Sequence, residues 1–357
     1  MKLIHCSDIH LDSKMESNLT AAQARERSAE VCATFARMVR YAEANQVEAV
    51  LIAGDLFDTR RVSAQTVDFV LDTIRNAEKI DFLYLRGNHD ESQDVFSDRE
   101  LPVNFKTFGS SWTSYRYGNV VVTGLELNRE NWGTMYESLK LNPEDTNIVM
   151  LHGQESSAPG EEQIALPLLK NKNIHYLALG HIHSFRQEKL GLDGIWCYCG
   201  CLEGRGFDEC GEKGFVSVRA ENRCVQAEFV PFARRTLEEV PVDITGLVTI
   251  TQIQSAMEKA AADISADSLV KFTLTGEYTL ETQKDLRFLK KMFENRFWFV
   301  KIKDESRLMI DKASYEHDIS LKGEFIRMVM ASNRSEEEKE QIILCGIRAL
   351  SGEEVTL

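Results

Sequence analysis

Five short clusters punctuate the first half of the chain: Asp8 with His10, Gly54-Asp55, Gly87-Asn88-His89-Asp90, His152-Gly153, and Gly180-His181-Ile182-His183. Together they offer carboxylate, amide and imidazole donors, the mix that holds a pair of divalent metals. Two such ions about 3.5–4 Å apart neutralise charge on both the attacking and the leaving oxygen of a phosphoryl group, and they make a water acidic enough to attack phosphorus in line. Oxygen and imidazole donors suit Mn2+, Fe2+ or Zn2+ better than Ca2+. No thiolate belongs to the set, which argues against a structural zinc. A lone Asp-x-His or Gly-Asp would carry no weight, because most histidines are ordinary core or surface residues. All five in order, each after an apolar run, do.

Each cluster follows a stretch that reads as a buried strand. Lys2 to Cys6 is extended in pattern, and Ser7-Asp8-Ile9-His10 turns off its end. Residues 8 and 10 then point the same way, since side chains alternate along extended chain. Val47 to Ala53 is aliphatic and β-branched and ends at Gly54, where Asp55 is released. Asp81 to Arg86 does the same before Gly87, Asn147 to Leu151 before His152, and Tyr176 to Leu179 before Gly180. Two helical patterns lie between the first three. Thr20 to Gln46 carries Val31, Phe35, Met38, Val39 and Ala42 at helical spacing, and Ser63 to Ala77 carries Val67, Val70, Leu71 and Ile74. Alternating strand and helix predict a layered α/β core. Five strands delivering polar residues from one end predict a site at the edge of a sheet.

Residues 92–145 read as shorter strands and loops, Asn119 to Thr123 among them, and from Gly194 the pattern is β. The character changes after Pro231 to Arg235. Leu237 to Val240 is a strand candidate, with Pro241 marking an edge or an end. Thr249 to Ile264 and Thr282 to Phe297 read as helices, Leu269 to Thr275 and Trp298 to Ile302 as strands. The tail carries an apolar stripe of Leu321, Phe325 and Val329. Ser335-Glu336-Glu337-Glu338 then forms a capping box that opens a helix with Ile343, Ile347 and Leu350 on one face. Such a hairpin either packs on its own domain or docks a partner. The expected organisation is one domain over 1–235, a small α+β domain over 236–312 and a helical segment over 313–357.

The five motifs resemble those of the calcineurin-like metallophosphoesterase superfamily. Ile4 to Ser13 and Ala53 to Asp58 look like SbcD-type DNA repair exonucleases, the nuclease subunits that pair with an SMC-like, SbcC-type ATPase at DNA ends. Tyr198 to Glu209, followed by Gly214-Phe215, is similar to that family's closing strand pair. The resemblance covers residues 1 to about 235 well and the remainder loosely. It implies a four-layer metallophosphoesterase β-sandwich flanked by helices, with a small α+β capping domain and C-terminal helices that hold the ATPase. It further implies that Asp8, His10 and His183 bind one metal, that Asn88, His152 and His181 bind the other, and that Asp55 bridges them. The two ions would be manganese, with iron or zinc as substitutes. His89 would stand beside the scissile phosphate and protonate the leaving oxygen or stabilise its charge. Asp90 either orients the His89 imidazole, as carboxylates often do for functional histidines, or caps a turn. The implied partners are DNA and the ATPase. The capping domain either helps direct DNA across the site or merely stabilises the chain or forms a homodimer.

Composition sets further bounds. The 357 residues carry 42 Lys and Arg against 56 Asp and Glu, for a net charge of −14. DNA binding ordinarily needs a basic patch to displace counterions. Basic clusters do occur at Arg60-Arg61, Arg86, Lys170 with Lys172, Arg186 with Lys189, and Arg234-Arg235, though each is more often just a solvated face. The acidity suggests that DNA affinity is shared with another subunit. Cys197, Cys199 and Cys201 alternate along one strand face and read as packing. A reduced, cytoplasmic setting is expected. The first apolar stretch runs straight into Asp8, so no signal peptide is expected. No apolar run reaches the length of a membrane span.

Two rival functions share parts of this pattern. A small-molecule or cyclic-nucleotide phosphodiesterase would use the same metals but would need neither a capping domain nor partner helices. A protein phosphatase typically shows Gly-Asp-x-x-Asp-Arg-Gly, whereas here Asp58 is followed by Thr59 and Arg60.

Overall fold

The apolar runs that lead into the five clusters all become strands: Lys2–Cys6, Ala49–Ala53, Asp81–Leu85, Thr146–His152 and Tyr176–Gly180. The computed structural model describes residues 1–15, 19–58, 62–90, 95–309 and 315–350. The strands divide between two six-stranded sheets. In spatial order the first runs Cys224–Pro231, Gly214–Glu221, Lys2–Cys6, Ala49–Ala53, Asp81–Leu85, Phe105–Thr107. The second runs Arg186–Leu190, Gly194–Tyr198, Tyr176–Gly180, Thr146–His152, Val120–Gly124, Thr113–Tyr117. Cluster-bearing strands are parallel neighbours: Val50 lies between Ile4 and Phe82, and Tyr176 pairs with Ile148. Parallel pairing brings their C-terminal ends, and hence the clusters, to the same edge of each sheet.

Alternation along these strands explains the layers. Leu3, Leu51 and Leu83 point to a core shared with Ile148, Met150, Tyr176, Ala178, Cys197 and Cys199 of the other sheet. Ile4, Val50, Ile52 and Phe82 point the opposite way, to a second core with Val31, Phe35, Met38, Val70 and Ile74 of the helices. Val149, Leu151, Leu177 and Leu179 form a third core with Met135, Tyr136, Leu139 and Leu169. Helix, sheet, sheet, helix is therefore the order of layers, as expected for the metallophosphoesterase fold. Burial on both faces is what parallel strands require. Each fully buried aliphatic side chain is worth about 1.5–3 kcal/mol, so the strand ends are held firmly.

The helices begin where their caps dictate. Thr20 caps Ala21–Ala44 with a capping box to Gln23, and Ser63 caps Ala64–Asn76. The first helix is also tied to the segment that follows Cys201. Buried Arg27 donates to Glu203 at 3.2 Å and to the carbonyl of Gly204 at 2.8 Å, and Thr34 donates to the other Glu203 oxygen at 2.7 Å. A buried ion pair this well hydrogen-bonded holds its loop in one conformation.

The chain divides into two compact units, Met1–Leu237 and Glu238–Leu357. The strand Leu237–Asp243 starts at that boundary and forms a three-stranded sheet with Leu269–Thr275 and Phe299–Asp304, with Pro241 on an edge strand. Helices Ile250–Ala260 and Leu286–Glu294 bury Ile253, Met257, Leu289 and Phe293 against Val270 and Phe272. Both are shorter than the sequence pattern suggests. The tail helices, Leu321–Met330 and Glu336–Leu350, belong to this same unit, and the expected boundary at 312 lies outside the described residues. Ser335 and Glu338 do form the capping box. The apolar stripe needs correction as a free docking face. Val329 and Ile343 are buried with Ile326 and Leu308, and Phe325 and Ile347 are partly buried beside Tyr278 and Leu280. Leu321, at 67%, and Leu350, at 46%, are the exposed members. Among the described residues, no helix is long and apolar enough to cross a membrane.

Candidate metal centre

The strand ends deliver their clusters through strained turns. Asp8, His10, Asp55 and His181 have φ of 50°, 50°, 51° and 101°, in the left-handed region that costs a non-glycine residue about 1–3 kcal/mol. The loop after Lys2–Cys6 is laced to the loop after Ala49–Ala53: Asp8 N–H donates to the carbonyl of Gly54 and His10 N–H to that of Asp55, both at 3.0 Å. Glycines allow this crowding. A Cβ on Gly180 would overlap the Ala53 carbonyl oxygen, and one on Gly87 would overlap the Asp55 carboxylate.

Two groups of donor atoms result. In the first, Asp8, His10 and His183 lie within reach of one ion. His10 Nε2 and His183 Nε2 are 3.2 Å apart, and Asp8 Oδ1 is 3.6 Å from the latter. In the second, His152 Nε2 stands 2.9 Å from Asn88 Oδ1 and 3.5 Å from Asp55 Oδ2, while His181 Nδ1 is 3.3 Å from the same Asn88 oxygen. Asp55 Oδ2 also lies 3.9 Å from His10 Nε2, so this one carboxylate faces both groups.

Tautomers show how the donors are aimed. His152 Nδ1 is 2.9 Å from the carbonyl of Ala53, which can only accept, so the proton sits on Nδ1 and Nε2 presents a lone pair. That lone pair faces two oxygen acceptors. His183 Nδ1 meets Glu209 Oε1 at 2.6 Å, so its Nε2 is a lone pair too, and the Asp58 carboxylate lies 3.0 Å from His10 Nδ1, which favours the same tautomer there. A cation or a shared proton has to stand at each place, and the mixed nitrogen and oxygen donors fit a divalent metal.

Asp58 and Glu209 were not singled out from sequence. A carboxylate that backs a histidine obeys no spacing rule, and the only signal was that both end motifs quoted above. Arg205 lies between them, with Nη1 2.6 Å from Asp58 Oδ1 and Nη2 3.1 Å from Glu209 Oε1. Burial would raise the Glu209 carboxyl, but the His183 hydrogen bond and the Arg205 charge bring it down to about 2. Burial likewise opposes ionisation of Asp58, yet His10 and Arg205 hold it well below the usual carboxylate range.

His89 donates its N–H to Asp55 Oδ1 at 3.0 Å, and its imidazole, 44% exposed, packs edge-on against the His10 ring with centroids 4.9 Å apart. Asp90 does not orient it. Its two oxygens accept from the N–H groups of Leu56, Phe57 and Gly87 at 3.1–3.2 Å, so it pins the Asp55 loop to the Gly87 turn. Burial, then the nearby Asp55 charge, lifts the Asp90 carboxyl to about 6. The acidic neighbour of His89 is Asp58, at 4.0 Å.

Three of the basic clusters contain an arginine paired with carboxylates. Arg86 is held bidentately by Glu126, Arg186 by Glu155 and Glu188, and Arg235 by Glu26 and Glu30. Arg60-Arg61 lie outside the described residues. The cysteines pack as expected, with Cys197 and Cys199 in the core between the sheets.

Comparison with known proteins agrees with this geometry. The family described as calcineurin-like phosphoesterase matches residues 1–185. The uncharacterized metallophosphoesterase YhaO of Bacillus subtilis is 26% identical over 338 residues, covering 86% of this chain and 82% of that protein. The DNA double-strand break repair protein Mre11 of Sulfolobus acidocaldarius is 30% identical over 203 residues, covering 53% of this chain and 51% of its own length. Mre11 of Haloferax volcanii is 25% identical over 299 residues, covering 77% and 62%. This chain therefore spans about half to three fifths of those two repair proteins. The match covers the segment whose strand ends carry all of the candidate donors, and this chain belongs to the calcineurin-like phosphoesterase family.

Proposed function

We propose that the protein is a manganese-dependent DNA phosphodiesterase, a repair nuclease subunit of the SbcD and Mre11 kind that works with an SMC-like ATPase. The observation that carries the hydrolytic part is the pair of converging lone-pair sets joined by Asp55. Support for the DNA part comes from the similarity to proteins named for double-strand break repair, together with a second unit that a small-molecule phosphodiesterase would not need.

Bound divalent ions would supply a water acidic enough to attack phosphorus and would neutralise the phosphate charge. Asp8, His10 and His183 would hold one ion, Asn88, His152 and His181 the other, with Asp55 reaching both. The strained turns fix these donors before substrate arrives, so little reorganisation is needed at reaction. His89 is anchored through its backbone N–H to Asp55, and its half-exposed ring stands beside the centre, where it would hold a proton for the leaving oxygen.

The test is a cleavage assay of the purified protein with Mn2+, on end-labelled duplex DNA and on bis(p-nitrophenyl) phosphate. Metal-dependent cleavage of both supports the proposal. Cleavage of the small diester alone rejects the DNA role, and cleavage of neither rejects the hydrolase reading.

A further inference from the structure

We infer that Asp58 and Glu209 are positioning residues for one half of the metal pair, and that Arg205 clasps them into a single unit. The inference rests on the metal reading above. For His10 and His183 to aim lone pairs at one ion, each must keep its proton on Nδ1. Glu209 Oε1, hydrogen-bonded to His183 Nδ1 at 2.6 Å, holds one of those protons in place, and the Asp58 carboxylate, with Oδ1 3.0 Å from His10 Nδ1, is the acceptor nearest the other. A carboxylate behind a metal-binding histidine fixes both tautomer and ring orientation.

Two carboxylates so close to Asp8 and Asp55 need a counter-charge. Arg205 provides it through separate nitrogens, and its backbone N–H donates to Glu209 Oε2 at 2.7 Å. Lys213 adds a hydrogen bond to the carbonyl of His183 at 2.8 Å. The three members of the clasp come from two loops far apart in sequence. Asp58 follows the strand Ala49–Ala53, and Arg205 and Glu209 precede the strand Gly214–Glu221.

The other half is built differently. His152 gives its Nδ1 proton to a main-chain carbonyl, that of Ala53, which no substitution removes. The two halves should therefore respond differently to loss of a side-chain carboxylate.

The experiment titrates metal-free, full-length protein with Mn2+ and follows the free ion by electron paramagnetic resonance. In an Asn88→Ala background the His10 and His183 half remains, and adding Glu209→Gln should weaken Mn2+ binding about 10–100-fold. Asp58→Asn should do the same by an independent route, which guards against one variant misfolding. In a His10→Ala background the Asn88 and His152 half remains, and neither change should alter its affinity. Equal losses in both backgrounds would mean a general structural role and overturn the clasp, as would no loss in either. If neither background variant loses a Mn2+ site relative to the parent, the metal reading itself fails and the clasp falls with it.

Discussion

His152 places Nε2 2.9 Å from Oδ1 of Asn88 while its other nitrogen is committed to the Ala53 carbonyl. The two facing atoms are both acceptors, a contact that a cation between them would reconcile. An ion bound between them would take both, with the His181 ring on the far side of the same amide oxygen. Asn88→Ala or His181→Ala should therefore remove one of two metals and abolish phosphodiesterase activity, with circular dichroism unchanged. Metal content by mass spectrometry checks this, and near-parent rates in Mn2+ would rule out a working metal pair.

His89 should behave otherwise. Its ring packs edge-on against His10 and is the more exposed of the two, so His89→Ala should retain two metals per chain while turnover drops by about 10²–10⁴-fold, the range for a lost general acid or base. Depletion of one ion in that variant would make His89 a ligand instead.

Much of this was legible in the sequence, and the part that was not has a physical reason. Strands buried on both faces must be apolar throughout, so Val50, Leu83 and Val149 announce their elements, and the polar residues after them announce an edge. The residues that back the donors leave no such trace. Asp90 follows His89 directly, and adjacency suggested that it orients the ring. The turn at Gly87 sends it inward instead, to three backbone N–H groups. The tail misled in a similar way: periodicity identified the stripe but could not say that Leu308 and Tyr278 already cover part of it.

Acid should destabilise the protein partly through His5, which lies fully buried with Nδ1 2.8 Å from the Tyr176 hydroxyl. Burial lowers its pKa from 6.5 to about 3. Between those values the unfolded chain carries a proton that the folded chain lacks, so stability falls as pH falls through this window. By pH 4.5 the loss from this one group is about 2–3 kcal/mol. His5→Gln keeps a partner for Tyr176 but cannot titrate. Urea unfolding of metal-free protein at pH 7 and 4.5 should show a smaller decline in the variant, and parallel declines would exclude His5.

Gly180 is the tightest point of the centre. A methyl group there would strike the Ala53 carbonyl, which also accepts from His152. Gly180→Ala should cost at least about 1–3 kcal/mol, as overpacking does, and should weaken Mn2+ binding by shifting His152. A variant with parent melting temperature and parent metal affinity would show that the strand end yields freely.

The partner proposal is tested by the exposed part of the tail. Deleting residues from about 318 would uncover Leu308, Tyr278 and Leu280, so loss of ATPase binding could reflect a damaged second unit. Leu321 and Met328 offer a cleaner test, being 67% and 66% exposed on the helix Leu321–Met330. Apolar anchors of this size contribute to an interface only where a partner desolvates them. In the free chain they contribute little, and Glu is a good helix former. Leu321→Glu with Met328→Glu should therefore leave folding and Mn2+-dependent cleavage of bis(p-nitrophenyl) phosphate unchanged. Co-purification with an SbcC-type ATPase, and any ATP-stimulated cleavage of DNA, should be lost. A double variant that still binds the ATPase at parent strength would move the dock away from this helix face.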